Sequence, residues 1–173
     1  MSILPGGPGN VRKWKVVRVT TLNTDEIMKV LPHRYPMLLV DQIIECDDAT
    51  RIVGIKNVSA GDQYLSGHFP GSPIMPGVLQ IEAMAQTAGI LMTRLIMIHR
   101  KEDLSGKIPY FLGIDNARFR KVVKPGDQLR MEITFLKYKA NFAKVKAVAT
   151  VNGAVSAEAE LLMMITDEKA SVI

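Results

Sequence analysis

Between Pro76 and Ile98 the chain reads "PGVLQIEAMAQTAGILMTRLIMI", in which Glu82 is the only charge before Arg94. Ala, Leu, Met, Gln and Ile are good or tolerable helix formers and only Gly89 weakens the run, so the segment predicts one long helix. It is apolar nearly all round, and a soluble chain covers such a helix with other elements on several sides. The flanking sequence supplies that cover as strands. "LLVDQIIE" (38–45) and "TRIVGIKNV" (50–58) are branched-aliphatic runs parted by the polar turn "CDDA", which predicts an antiparallel pair. In "QLRMEITFLKY", Leu129, Met131, Ile133 and Phe135 alternate with Arg130, Glu132 and Thr134, the period-two pattern of a half-buried strand. "KPGD" ahead of it is a turn, and "NFAKVKAVATV" and "AVSAEAELLMMI" flank Asn152-Gly153, a strong hairpin signal. "TDEIMKVL" (24–31) reads as a short helix capped by Thr24, with Asp25 and Glu26 at its positive end and Pro32 barring continuation. The expected architecture is α+β: a long antiparallel sheet curled around one central hydrophobic helix.

A chain of 173 residues suits one well-buried domain. "MSILPGGPGN" has no periodicity, so residues 1–20 are expected to be a flexible or atypical extension and 21–173 the domain. Glu82 interrupts the longest apolar run and Arg94 and Arg100 bracket it, which argues against membrane insertion; the N-terminus lacks a secretory pattern, so a cytoplasmic location is expected. Cys46 stands alone, excluding an internal disulfide, and is expected to be a small buried hydrophobe; with three scattered histidines no metal site is expected. A net charge of +5 favours an acidic partner. Zinc-ligand spacing, a recognition helix and an aromatic-basic signature are missing, so nucleic acid is not expected; nor is a nucleotide cofactor, for want of a phosphate loop or dinucleotide fingerprint.

Glu82 is the residue that points to chemistry. A carboxylate on a helix wrapped from most sides loses part of its hydration, the setting in which carboxyl groups serve as general acids; the plainer alternative is a solvent-reaching or ion-paired side chain. Fourteen positions earlier, His68 sits in "GHFPGSPIMPG", too rich in Gly and Pro for helix or central strand, so its imidazole is placed on a loop leading to the helix start. Pro76 suits the first helical turn, which puts the Gly77 amide among the unpaired donors at the positive helix end, where it can polarise a carbonyl and where a side-chain-free residue lets substrate approach. Base, acid and carbonyl donor are the parts needed for proton abstraction beside a carbonyl with loss of a hydroxyl.

"LPHRYPMLLVD", "GHFPGSPIMPGVLQIEAMAQ" and "FLGIDNARFRKVVKPGDQL" resemble the beta-hydroxyacyl-acyl carrier protein dehydratase family of bacterial fatty-acid synthesis, FabZ type, over roughly residues 24–166. The resemblance implies a hot-dog fold, a homodimer with active sites shared between subunits, and further assembly as a trimer of dimers. It implies dehydration of a (3R)-3-hydroxyacyl thioester on acyl carrier protein to the trans-2-enoyl thioester, with an influence on lipid A precursor balance in bacteria that make lipid A. The only prosthetic arm implied is the carrier's own phosphopantetheine. His68 matches the family's catalytic histidine, Glu82 its carboxylate and the Gly77 amide its carbonyl donor. Phe69, Pro70, Gly71, Val78 and Tyr110 are the implied substrate-contacting residues, Tyr110 either as a gate or as a core strand tyrosine. The close relative that also isomerises its product carries aspartate where Glu82 stands, so this chain departs from it toward the dehydratase-only type.

Arg118, Arg120, Lys121 and Lys124 form a basic cluster suited to steering an acidic carrier protein, or else an ordinary solvated face. Met75, Val78, Leu79, Met84 and Ile98 are candidates for an acyl tunnel or for plain core. His33 is read as structural and His99 as a partner of the helix C-terminus. The rival readings are a hot-dog thioesterase and a non-enzymatic acyl-thioester binding module.

Overall fold

The computed structural model describes residues 20–101, 104 and 107–169. Nearly all of the expected N-terminal extension, and the side chain of His99, lie outside the described residues. Helix α1 (Thr24–Val30) opens the described chain, and its cap is Asn23 instead of Thr24. The Asn23 side chain accepts from the Glu26 amide while the Glu26 carboxylate accepts from the Asn23 amide at 2.8 Å, satisfying two end donors reciprocally. The Thr24 hydroxyl is turned away to donate to the Asp41 carbonyl.

Strands β1 (Gln42–Cys46) and β2 (Arg51–Asn57) pair antiparallel as expected. Their turn is closed by Asp47, whose carboxylate accepts from the amides of Ala49, Thr50 and Arg51. β1 begins later than the apolar run suggested, because the Leu39 amide leaves the ladder to donate to the Gln86 side chain. β3 (Lys107–Phe119), β4 (Gln128–Lys139), β5 (Phe142–Val151) and β6 (Ala154–Lys169) complete a six-stranded antiparallel sheet in the order β1-β2-β4-β5-β6-β3. Asn152 and Gly153 make the β5–β6 turn, both with positive φ (51° and 78°).

Helix α2 (Gly77–Arg100) packs against β2, β4, β5 and β6. The sheet makes room for it with small residues: Ala147, Ala149, Ala157 and Ala159 are buried on β5 and β6. At Gly54 an added Cβ would come within 2.7 Å of the Thr87 hydroxyl on the helix. Met84, Ile90, Leu91 and Ile96 are fully buried, each contributing roughly 1.5–3 kcal/mol relative to exposure. α2 is long and apolar enough to cross a bilayer, yet 78% of its most apolar window is covered inside this fold. Cys46 is buried as expected.

β3 forms one edge of the sheet and exposes Tyr110, Phe111, Leu112 and Ile114. An apolar edge strand of this length is a surface for another strand to cover.

Candidate active site

The loop after the 3-10 turn Gln63–Ser66 is closed on itself by backbone bonds: the Ile74 amide donates to the His68 carbonyl at 2.9 Å, and Phe69 and Ser72 exchange hydrogen bonds inside it. The His68 ring is held by the same partner, with Nδ1 2.9 Å from the Ile74 carbonyl oxygen. A carbonyl oxygen only accepts, so Nδ1 carries the hydrogen and Nε2 keeps its lone pair, the tautomer a general base requires. The Phe69 ring stacks on the imidazole with centroids 4.0 Å apart. The Met75 amide donates to the Val123 carbonyl and carries the loop to the helix start.

Pro76 is the N-cap of α2, with extended ψ of 135°, so Gly77 rather than Pro76 is the first helical residue. The amides of Leu79 and Gln80 bond back to the Pro76 carbonyl, while the Gly77 amide has no partner among the described residues. It lies at the positive end of a helix of 24 residues. A Cβ at Gly77 would sit 2.8 Å from Phe119 Cε1, so packing against that ring demands glycine here, a reason separate from substrate approach. His68, Met75, Gly77, Val78, Phe119 and Arg120 line a cleft of about 480 Å³.

Glu82 lies one turn along α2 from Val78, with 22% of its side chain exposed. It is not stranded in apolar surroundings: Gln86 Nε2 donates to its Oε1 at 2.9 Å, and His33 Nε2 stands 3.5 Å from the same oxygen. Gln86 is itself fixed, accepting from the Leu39 amide at 2.8 Å and donating to the Met37 carbonyl at 2.7 Å. Both partners escaped the reading of the sequence. Gln86 was within reach of it, since residues four apart on a helix are neighbours. The sequence gives His33 only a structural place, and the fold brings it to face Glu82. Burial holds the His33 imidazole below its usual pKa against the pull of Glu82, and Arg34 lowers it further. Among the described residues no hydrogen bond or ion pair joins His68 to Glu82, and Glu82 does not line the His68 cleft.

A family model described as a FabA-like domain matches residues 31–160. A protein of Bacillus thuringiensis named 3-hydroxyacyl-[acyl-carrier-protein] dehydratase FabZ is 47% identical over 148 residues, covering 86% of this chain and 99% of that protein. The chain belongs to the FabZ dehydratase family. Among solved structures, a dehydratase heterocomplex from Xenorhabdus doucetiae matches with a TM-score of 0.71 at 22% identity, over 82% of this chain and 91% of that one. A hypothetical thioesterase with coenzyme A from Streptococcus pneumoniae matches with a TM-score of 0.53 at 15% identity, over 74% and 87% of the two chains. These likenesses carry the hot-dog fold alone, a scaffold that serves more than one reaction.

In this FabZ-family chain the remaining site candidates divide by position. Val78 and Lys121 line the His68 cleft beside Arg120, which pairs with Glu158. Arg118 and Lys124 are exposed outside it. Phe69, Pro70 and Gly71 project on the exposed loop and do not line the cleft. Tyr110 is on β3, 40% exposed, so its ring is not a core ring, and it too lies away from the cleft. Of the tunnel candidates Met75 lines the cleft, Met84 is buried in the core, and Ile98 is half exposed near the far end of α2. Leu79 lines a separate cleft of about 510 Å³ with Tyr35, Lys56 and Tyr64.

Proposed function

We propose that this chain removes water from a (3R)-3-hydroxyacyl thioester carried by acyl carrier protein, leaving the trans-2-enoyl thioester. His68 Nε2 takes the proton from C2 while the Gly77 amide holds the thioester oxygen as negative charge develops there. The C2 electron pair becomes the C2–C3 double bond, the C3–O bond breaks, and the Glu82 carboxyl supplies the proton that turns the departing hydroxyl into water. Solvent returns the protonation states of His68 and Glu82 to their starting values. The observation that carries the reading is the Ile74 clamp on His68, which leaves a basic Nε2 in the cleft that also holds the free Gly77 amide.

The site is completed by a second copy of the chain, which supplies the Glu82 that acts with a given His68. The separation of these residues within one chain, the apolar β3 edge and the half-exposed Phe119 beside Gly77 support this. A trimer of such dimers is the expected assembly. The substrate's phosphopantetheine arm suffices without another cofactor, and the reaction belongs in the cytoplasm. Arg120 and Lys121 on the cleft, with Arg118 and Lys124 nearby, suit an acidic carrier protein by speeding encounter.

The test is product analysis with purified protein and 3-hydroxybutyryl-acyl carrier protein, reading enoyl thioester by absorbance and mass. Loss of water by the parent, collapsing in folded His68→Ala and Glu82→Gln variants, is the expected result. Release of free carrier thiol would make the protein a thioesterase, and tight binding without turnover would make it a binding module.

A further inference from the structure

Outside the proposed acid-base pair, the group that most calls for a role is His33. It is held where α1 ends: the Arg34 guanidinium donates to the carbonyls of Met28, Leu31 and His33 itself, at 3.1, 2.9 and 2.8 Å. That grip fixes the backbone that carries the imidazole. Nδ1 is buried with no hydrogen-bond partner among the described residues, while Nε2 is 3.5 Å from Glu82 Oε1. A buried N–H without an acceptor is rarer and more costly than a buried lone pair. The neutral ring therefore keeps its lone pair on Nδ1 and its hydrogen on Nε2, the atom that stands 3.5 Å from the Glu82 carboxyl.

We infer that His33 is a positioning residue for Glu82, acting with Gln86 to hold Oε1 so that Oε2 is the oxygen that carries the proton to the substrate. Gln86 donates to Oε1 from the next turn of α2, His33 Nε2 stands 3.5 Å from the same oxygen on the loop after α1, and none of the described residues donates to Oε2. A protonated carboxyl keeps its hydrogen on the oxygen that is not receiving hydrogen bonds, so Oε2 is the acidic oxygen. The carboxyl is thereby oriented before substrate arrives, held from two separate chain segments. The inference rests on the dehydratase reading above.

The experiment is a double-mutant cycle on the full-length protein, with kcat, KM and thermal midpoint measured for His33→Ala and His33→Gln in the parental and Glu82→Gln backgrounds. A contact between neutral groups is worth about fivefold, so His33→Ala should lower kcat by about fivefold with KM little changed. His33→Gln, whose side-chain amide reaches toward the same oxygen, should recover most of that loss. In the Glu82→Gln background His33→Ala should cost less than about twofold further, because the group it acts through is already gone. Should His33→Ala lose its cooperative melting transition, His33→Leu fills the same space without an N–H and takes its place. An unchanged kcat, an equal loss in both backgrounds, or a Gln variant no better than Ala would each overturn the inference. If Glu82→Gln collapses activity while the His33 variants are neutral, only this inference fails; if Glu82→Gln retains parental activity, the dehydratase site fails with it.

Discussion

Gln86 Nε2 donates to Glu82 Oε1 at 2.9 Å across one turn of α2, and the same amide group donates to the Met37 carbonyl at 2.7 Å. Gln86 thus binds the proposed general acid to the loop that follows α1. Gln86→Leu keeps the side chain's bulk but strands the buried Leu39 amide and takes away the donor to the Met37 carbonyl. Leaving such groups unpaired costs roughly 1–3 kcal/mol, so urea unfolding should show a loss of that size. Turnover should fall as well, with KM little changed. A variant as stable and as active as the parent would show that the amide neither supports the loop nor orients Glu82.

Gly77 and Phe119 make a second prediction. Because a Cβ at position 77 would come within 2.8 Å of the ring, Gly77→Ala must push Phe119 aside. Overpacking of this kind typically costs about 1–3 kcal/mol, and it should distort the cleft wall that holds the free amide. Combining Gly77→Ala with Phe119→Leu should recover stability beyond the sum of the single effects. Additive thermal shifts would mean that the ring is not what excludes a side chain here.

The low pKa of His33 has a consequence for stability against pH. Burial is the largest cause, Glu82 opposes it and Arg34 reinforces it. Because the folded state binds this proton less readily than the unfolded chain, the contribution is complete above the imidazole's ordinary value near 6.5 and declines as pH falls toward the lowered folded value. Thermal midpoints taken from pH 8 down to 5 should therefore fall below about pH 6.5, and less steeply in His33→Gln. Identical pH profiles for the two proteins would contradict it.

Cys46 donates its thiol to Asp48 at 3.3 Å, and burial pushes its pKa up to about 11. Thiolate is the reactive form, so iodoacetamide at pH 8 should leave the native protein unmodified and label it fully in denaturant. Rapid native labelling, read as a mass increase, would show that the thiol is open to solvent.

How far the sequence foretold this molecule depends on the range of the forces involved. The all-apolar run from Pro76, the alternation at Leu129, Met131 and Ile133, and the Asn152-Gly153 turn are local patterns, and the helix, strand and hairpin follow them. Thr24 is of a type that caps, yet Asn23 is the cap, because the Asp41 carbonyl, seventeen residues away, draws the Thr24 hydroxyl. His68 was legible as a candidate base, whereas the carbonyl of Ile74 that sets its tautomer was not, since any residue offers a backbone carbonyl. His33 and Glu82 are 49 positions apart, and only packing of the loop after α1 against α2 brings them together.

The most direct measurement mixes His68→Ala and Glu82→Gln proteins, each reduced to residual activity alone, under conditions in which subunit exchange is verified by mass, and follows enoyl thioester formation. With sites shared across a dimer, a mixed dimer keeps one site whose His68 and Glu82 are both intact. Random exchange makes about half of the dimers mixed, so activity should recover to about a quarter of the parental rate. No recovery after proven exchange would contradict a site assembled from two chains.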